Sequence, residues 1–79
     1  MYYVYILRSI KDDSRYVGYT SNLRRRFYEH NRGDVNFTKN KKPHKLVWFS
    51  VFSSKLKAIS FERYLKSGSG HAFAGKRLI

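Results

Sequence analysis

Tyr2-Tyr3-Val4-Tyr5-Ile6-Leu7-Arg8 and Arg15-Tyr16-Val17-Gly18-Tyr19 decide the fold. The first run is apolar or aromatic until its closing arginine. It reads as a strand buried on both faces, because no polar residue alternates with the apolar ones. The connection from Ser9 to Ser14 carries Asp12-Asp13, a turn signal, and is short enough to make the two runs an antiparallel hairpin. Gly18 near the end of the second run permits close approach of another group.

Downstream the period changes. Thr20 or Ser21 can cap a helix whose apolar stripe is marked by Leu23 and Phe27, four residues apart, and Gly33 suits its end. Residues 34–45 are polar and basic, contain the only proline, Pro43, and predict a mobile loop. Lys45 to Phe52 is a third strand, expected to be the most buried. Ser53 or Ser54 can cap a second helix with Ala58, Phe61 and Leu65 on its inner face. Ser67-Gly68-Ser69-Gly70 is expected to terminate that helix, leaving His71 to Ile79 for a last helical turn. The order ββα-loop-βα predicts an α/β (α+β) class chain, a three-stranded antiparallel sheet flanked by helices in a single domain over 1–79.

Composition narrows the function. The 79 residues include no cysteine, which removes disulfides and thiolate zinc sites. Seventeen Lys and Arg face five acids, a net charge of +12. Interleaved with aromatic residues, that balance points to nucleic acid as partner; a ribosomal-type RNA binder would share it. The N-terminal apolar run is too short for a secretory signal, and no run approaches bilayer length. The expectation is a cytoplasmic protein with no membrane partner. No phosphate-binding glycine loop and no Ser/His/Asp set can be argued.

Five residues are candidates for chemistry. Tyr5 and Tyr16 lie on the paired strands, where tyrosines are commonly packing residues with one wet end. A phenol can also hydrogen-bond a water, and neighbouring positive charge would lower its pKa toward general-base behaviour. Arg26 and His30 are four apart and share one helix face beside the Leu23/Phe27 stripe. There an arginine can hold a phosphate and stabilise developing charge, or simply belong to a solvated basic face. Arg24, Arg25 and Arg32 suit contacts to a nucleic-acid backbone. Glu62 is the only acid after Asp34. It can pair with Lys66 at i, i+4, or offer a hard oxygen to Mg²⁺.

Together these residues resemble the GIY-YIG nucleases, which include homing endonucleases and the nuclease domain of the excinuclease C subunit. Tyr3-Val4-Tyr5 matches the first motif and Tyr16-Val17-Gly18 the second. Arg26 follows Gly18 by the family's eight residues, His30 by four more, and Glu62 matches the glutamate of the following helix. The short length is similar to small stand-alone, excinuclease-like members of the UPF0213 type. Tyr3 stands where the name motif begins with glycine, and Ala74 stands where many catalytic members carry asparagine. The resemblance implies a metal-dependent DNA endonuclease, in repair or recombination, using one Mg²⁺ or Mn²⁺. Tyr5 would activate water, with Tyr16 and His30 hydrogen-bonding around it. Arg26 would hold the phosphate, and Glu62 the metal. Lys39, Lys41, Lys42, Lys45 and Lys66 would contact the nucleic-acid backbone. A non-catalytic DNA- or RNA-binding module on the same scaffold is the alternative, and a small basic subunit of a larger ribonucleoprotein a third reading.

Overall fold

The structure is a computed structural model that describes all residues 1–79. Its elements are β1 (Tyr2–Ser9), β2 (Arg15–Thr20), α1 (Leu23–Arg32), a 3₁₀ turn at Lys39–Lys41, β3 (His44–Phe52), α2 (Lys55–Lys66) and α3 (Gly68–Arg77). The sheet is antiparallel with order β2-β1-β3. The class is α+β, a three-stranded antiparallel sheet with three helices.

β1 is the middle strand, so Val4, Tyr5, Ile6 and Leu7 are all buried. The hairpin closes through Ser9 N donating to Ser14 O at 2.8 Å and Asp13 N donating to Ser9 O at 2.9 Å. Asp13 takes the left-handed conformation (φ 63°), which aspartate tolerates better than most residues.

β3 is not the most buried strand, contrary to its composition. It is an edge, and Phe49 and Val51 are each 48% exposed. The expectation failed because hydrophobicity does not say which strand sits in the middle.

Strand alternation separates the residues of β1 into two sets. Val4 and Ile6 face α2 and α3, where they form a dry core with Val17, Ala58, Leu65 and Ala74. Trp48, Phe52 and Phe61 pack against it. Tyr3, Tyr5, Leu7 and Ser9 lie on the opposite face, toward α1 and the segment after it.

Helix boundaries shift for identifiable reasons. Asn22, rather than Thr20 or Ser21, caps α1: its side chain accepts from Arg25 N at 3.0 Å. Thr20 supports it one step back, its hydroxyl accepting from Asn22 N at 3.1 Å. Gly33 ends α1 at φ 89°.

The Ser67–Gly70 stretch is a corner, not the end of regular structure. Ser67 Oγ donates to Tyr64 O at 2.6 Å, closing α2, and accepts from Gly70 N at 3.1 Å, opening α3. A Cβ on Gly70 would stand 1.7 Å from Tyr64 O, so only glycine permits this approach. The tail is therefore a ten-residue helix that delivers Ala74 to the core. No helix is long and apolar enough to cross a membrane.

Candidate active site

The cluster grows from Tyr5. Its cross-strand partner on β2 is Gly18, and a Cβ there would lie 2.4 Å from the phenol carbon and oxygen. Gly18 is thus the space through which the Tyr5 ring crosses β2. The phenol reaches α1, where Tyr5 OH and His30 Nε2 are 2.8 Å apart. The Tyr16 ring packs 6.3 Å from Tyr5 and 5.0 Å from His30, closing the third side.

His30 is the only buried residue of α1. Leu23 and Phe27, expected as its buried stripe, are half-buried. They line an apolar groove of about 720 Å³ together with Tyr3, Leu46, Phe49 and Val51. That groove contains none of the five chemical candidates. α1 sits lightly on the sheet, and what it buries is an imidazole.

His30 is held from both sides. Its Nδ1 lies 2.7 Å from Thr38 Oγ1. Thr38 is held in turn by His44, whose Nε2 donates to the Thr38 carbonyl at 3.1 Å. Asn31 fixes His44 through both backbone groups, accepting from its N–H at 2.6 Å and donating to its carbonyl at 3.1 Å. The segment expected as a mobile loop therefore supplies Val35, Thr38 and His44 as buried residues. Thr38, His44 and Asn31 escape a sequence reading because short polar residues in a basic stretch carry no burial signal.

Charge is uneven around the cluster. Arg26 donates to Glu29 Oε1 at 3.1 Å, and Arg25 Nε lies 3.9 Å from the other Glu29 oxygen. Burial works against the Arg26 charge, but hydrogen bonding to Glu29 and the neighbouring phenol outweigh it and raise its pKa. The Tyr5 phenol is pushed well above its ordinary value, first by burial and then by Tyr16; Arg26 pulls the other way and loses. This corrects the expectation of a lowered tyrosine pKa. His30 falls to about 4, mainly from burial, then from the Arg26 charge and His44. At neutral pH the site holds a neutral phenol against a neutral imidazole.

Glu62 approaches from α2. It is near enough for its charge to act on Tyr5, and Lys66 Nζ binds its Oε2 at 2.8 Å. The same ammonium stands 5.9 Å over the Tyr16 ring. Lys66 thus faces the cluster as well as pairing with Glu62.

A hard divalent cation fits Glu62 as one oxygen donor alongside waters and substrate phosphate. No group of three His, Cys, Asp or Glu residues could cage a metal. A cleft of about 330 Å³ lies beside Tyr16, lined by Arg15, Lys66 and His71 among others.

The remaining candidates lie outward. Arg24, Arg25, Arg32, Lys39, Lys41, Lys42 and Lys45 are all exposed. Arg32 pairs with Asp34, and Lys41 with Asp12 at 2.6 Å. Ala74 is fully buried in the core, so the asparagine position is a packing position here.

Comparisons with known proteins find relatives along most of the chain. A UPF0213 protein of Clostridium perfringens is 46% identical over 67 residues, covering 84% of this chain and 71% of the relative. One from Staphylococcus haemolyticus is 42% identical over 69 residues, covering 86% and 83%. The solution structure of the UPF0213 protein BH0048 from Bacillus halodurans aligns with a TM-score of 0.60 at 34% identity. That alignment covers 99% of this chain and 87% of the other. The GIY-YIG catalytic domain model matches residues 1–74, a span that takes in both tyrosine strands, α1 and Glu62. With the catalytic-domain match over nearly the whole chain and relatives at 42–46% identity, this chain belongs to the GIY-YIG family.

Proposed function

We propose that this chain is a DNA endonuclease that hydrolyses a phosphodiester at the Tyr5–His30 cluster. The observation that carries the reading is the 2.8 Å contact between Tyr5 OH and His30 Nε2, with Arg26 acting on the same phenol. A buried phenol with a raised pKa is a poor base unless something takes its proton. His30, uncharged at neutral pH, is a fitting acceptor. Outright transfer to so acidic an imidazolium is steeply uphill. The phenol therefore gives up its proton as it receives one from the attacking water, in a single concerted movement.

Arg26 faces the charge that develops on the phosphate, and Tyr16 limits the orientation of the attacking water. Glu62 would hold one divalent cation, Mg²⁺ or Mn²⁺, which when bound supplies charge stabilisation to the phosphate and leaving oxygen. The exposed lysines and arginines hold the nucleic-acid backbone without reading its sequence. We place the chain's work in the repair or recombination of DNA, in the cytoplasm, as one domain.

One observation favours a second reading, a non-catalytic nucleic-acid-binding module. The Glu62 carboxylate is already engaged by Lys66 at 2.8 Å, as a purely structural ion pair would be. Branched and linear DNA incubated with Mg²⁺, Mn²⁺ or chelator, using wild type beside Glu62→Gln, separates the two. The nuclease reading expects metal-dependent cleavage that the variant loses while retaining binding. Binding by wild type without cleavage under any metal condition would establish the module instead.

A further inference from the structure

We propose that Thr38 is a positioning residue that sets the tautomer of His30, and through it decides which way the Tyr5 proton can move. The inference rests on the hydrolytic reading above for its consequence, but not for its geometry. Three hydrogens and a line of acceptors must be matched in a buried site: the Tyr5 hydroxyl, the one imidazole N–H, and the Thr38 hydroxyl.

Two arrangements fit the 2.8 and 2.7 Å contacts. In the first, Tyr5 donates to Nε2, Nδ1–H donates to Thr38 Oγ1, and Thr38 donates to Val35 O at 3.5 Å. Every hydrogen has an acceptor, and the longest bond falls on the Thr38 hydroxyl, because Val35 O also receives the Thr38 and Lys39 backbone N–H groups. In the second, Thr38 donates to Nδ1 and Nε2–H donates to the phenol oxygen. The Tyr5 hydrogen then has no acceptor from the protein, on a residue 1% exposed. An unmatched buried donor is the more costly defect. Intrinsic chemistry agrees, since a phenol is the stronger donor and an alkyl hydroxyl the better acceptor. The first arrangement holds.

Thr38 Oγ1 therefore accepts the hydrogen bond from Nδ1–H and leaves the Nε2 lone pair aimed at Tyr5. A carboxylate does this in many histidine-dependent sites. A hydroxyl does it without a second charge, which suits a fully buried imidazole that is neutral in the resting site. Thr38 itself is 2% exposed, and the His44 hydrogen bond to its carbonyl stops it from turning away. The basic segment around Lys39–Lys41 thus contributes a residue that positions His30 as well as surface charge.

The test is direct observation of the tautomer. In uniformly ¹⁵N-labelled wild-type protein at neutral pH, imidazole ¹⁵N shifts and long-range ¹H–¹⁵N correlations should show His30 protonated at Nδ1 and bare at Nε2. The opposite protonation in wild type overturns the proposal and needs no substrate or cleavage. Thr38→Val should mix or invert the tautomer, and Thr38→Ser should restore it. An unaltered Nδ1–H tautomer in a folded Thr38→Val protein also overturns it. If cleavage is observed, Thr38→Val should lower kcat by about 10- to 100-fold with little change in KM, and Thr38→Ser should recover most of it. Absence of cleavage in wild type would sink the nuclease reading while leaving the tautomer assignment standing.

Discussion

The two faces of one small sheet are built on different principles. Toward α2 and α3, Val4, Ile6, Val17, Ala58, Leu65 and Ala74 form a core without a polar side chain. Toward α1, the fully buried side chains include Tyr5, His30, Thr38 and Ser9, tied together and to the backbone by hydrogen bonds. β1 supplies both faces by simple alternation. Stability can therefore be concentrated on one side, leaving the other free to bury groups that titrate and donate. A domain this small has little surplus stability. The separation explains how it keeps an imidazole and a phenol out of water.

The dry face should break first. Leu65 is 1% exposed, and α3 closes over it, so Leu65→Ala removes apolar contact and leaves a cavity. The expected loss is about 2–5 kcal/mol, a large share of the total for a domain of this size. Urea unfolding should show a lower midpoint with an unchanged slope. A loss under ~1 kcal/mol would mean that the α2–α3 face is not where stability resides.

The polar face should break next, and with acid rather than truncation. Folding depresses the His30 pKa from 6.5 to about 4. Between those values the unfolded chain binds a proton that the folded chain does not. Stability is therefore complete above about pH 6.5 and falls as pH drops toward 4. The loss is on the order of 3 kcal/mol at most. Unfolding midpoints measured from pH 7 to pH 4 should slope accordingly, and His30→Gln should flatten the slope. An equal slope in the variant would assign the acid sensitivity to other groups.

The difference between the faces also accounts for what a sequence reading reaches. The hairpin is legible because strand composition and a short turn are local properties. Arg26 and His30 share a helix face because their separation of four dictates it. Two glycines and two serines after α2 look like a stop. Whether they stop a helix or turn a corner depends on whether Ala74 finds a core to enter, which is a long-range fact. Thr38 and His44 are hidden for the same reason, since their burial follows from how the segment folds back over Tyr5. The direction of the Tyr5 pKa lies beyond a sequence reading, because spacing indicates neighbouring charge but not desolvation.

The smallest effect sharpens the comparison most, because it separates burial from polarity. Arg25 and Arg26 flank the same carboxylate, Glu29, from consecutive positions. Arg25 is exposed and its contact is 3.9 Å, so solvent screens it. Arg25→Ala should change stability by less than ~0.5 kcal/mol, within about 2–4 °C of the wild-type melting temperature for a chain of this size. If Arg25 meets a phosphate, the same variant should also reduce the salt dependence of DNA binding by about one unit of slope. Arg26→Ala should instead impair turnover more than it changes that slope, because Arg26 faces Tyr5. Equal loss of turnover in the two variants would remove any special role for Arg26. A large stability loss at Arg25 would show that exposed charge, and not the buried Tyr5–His30–Thr38 line, holds α1 on the sheet.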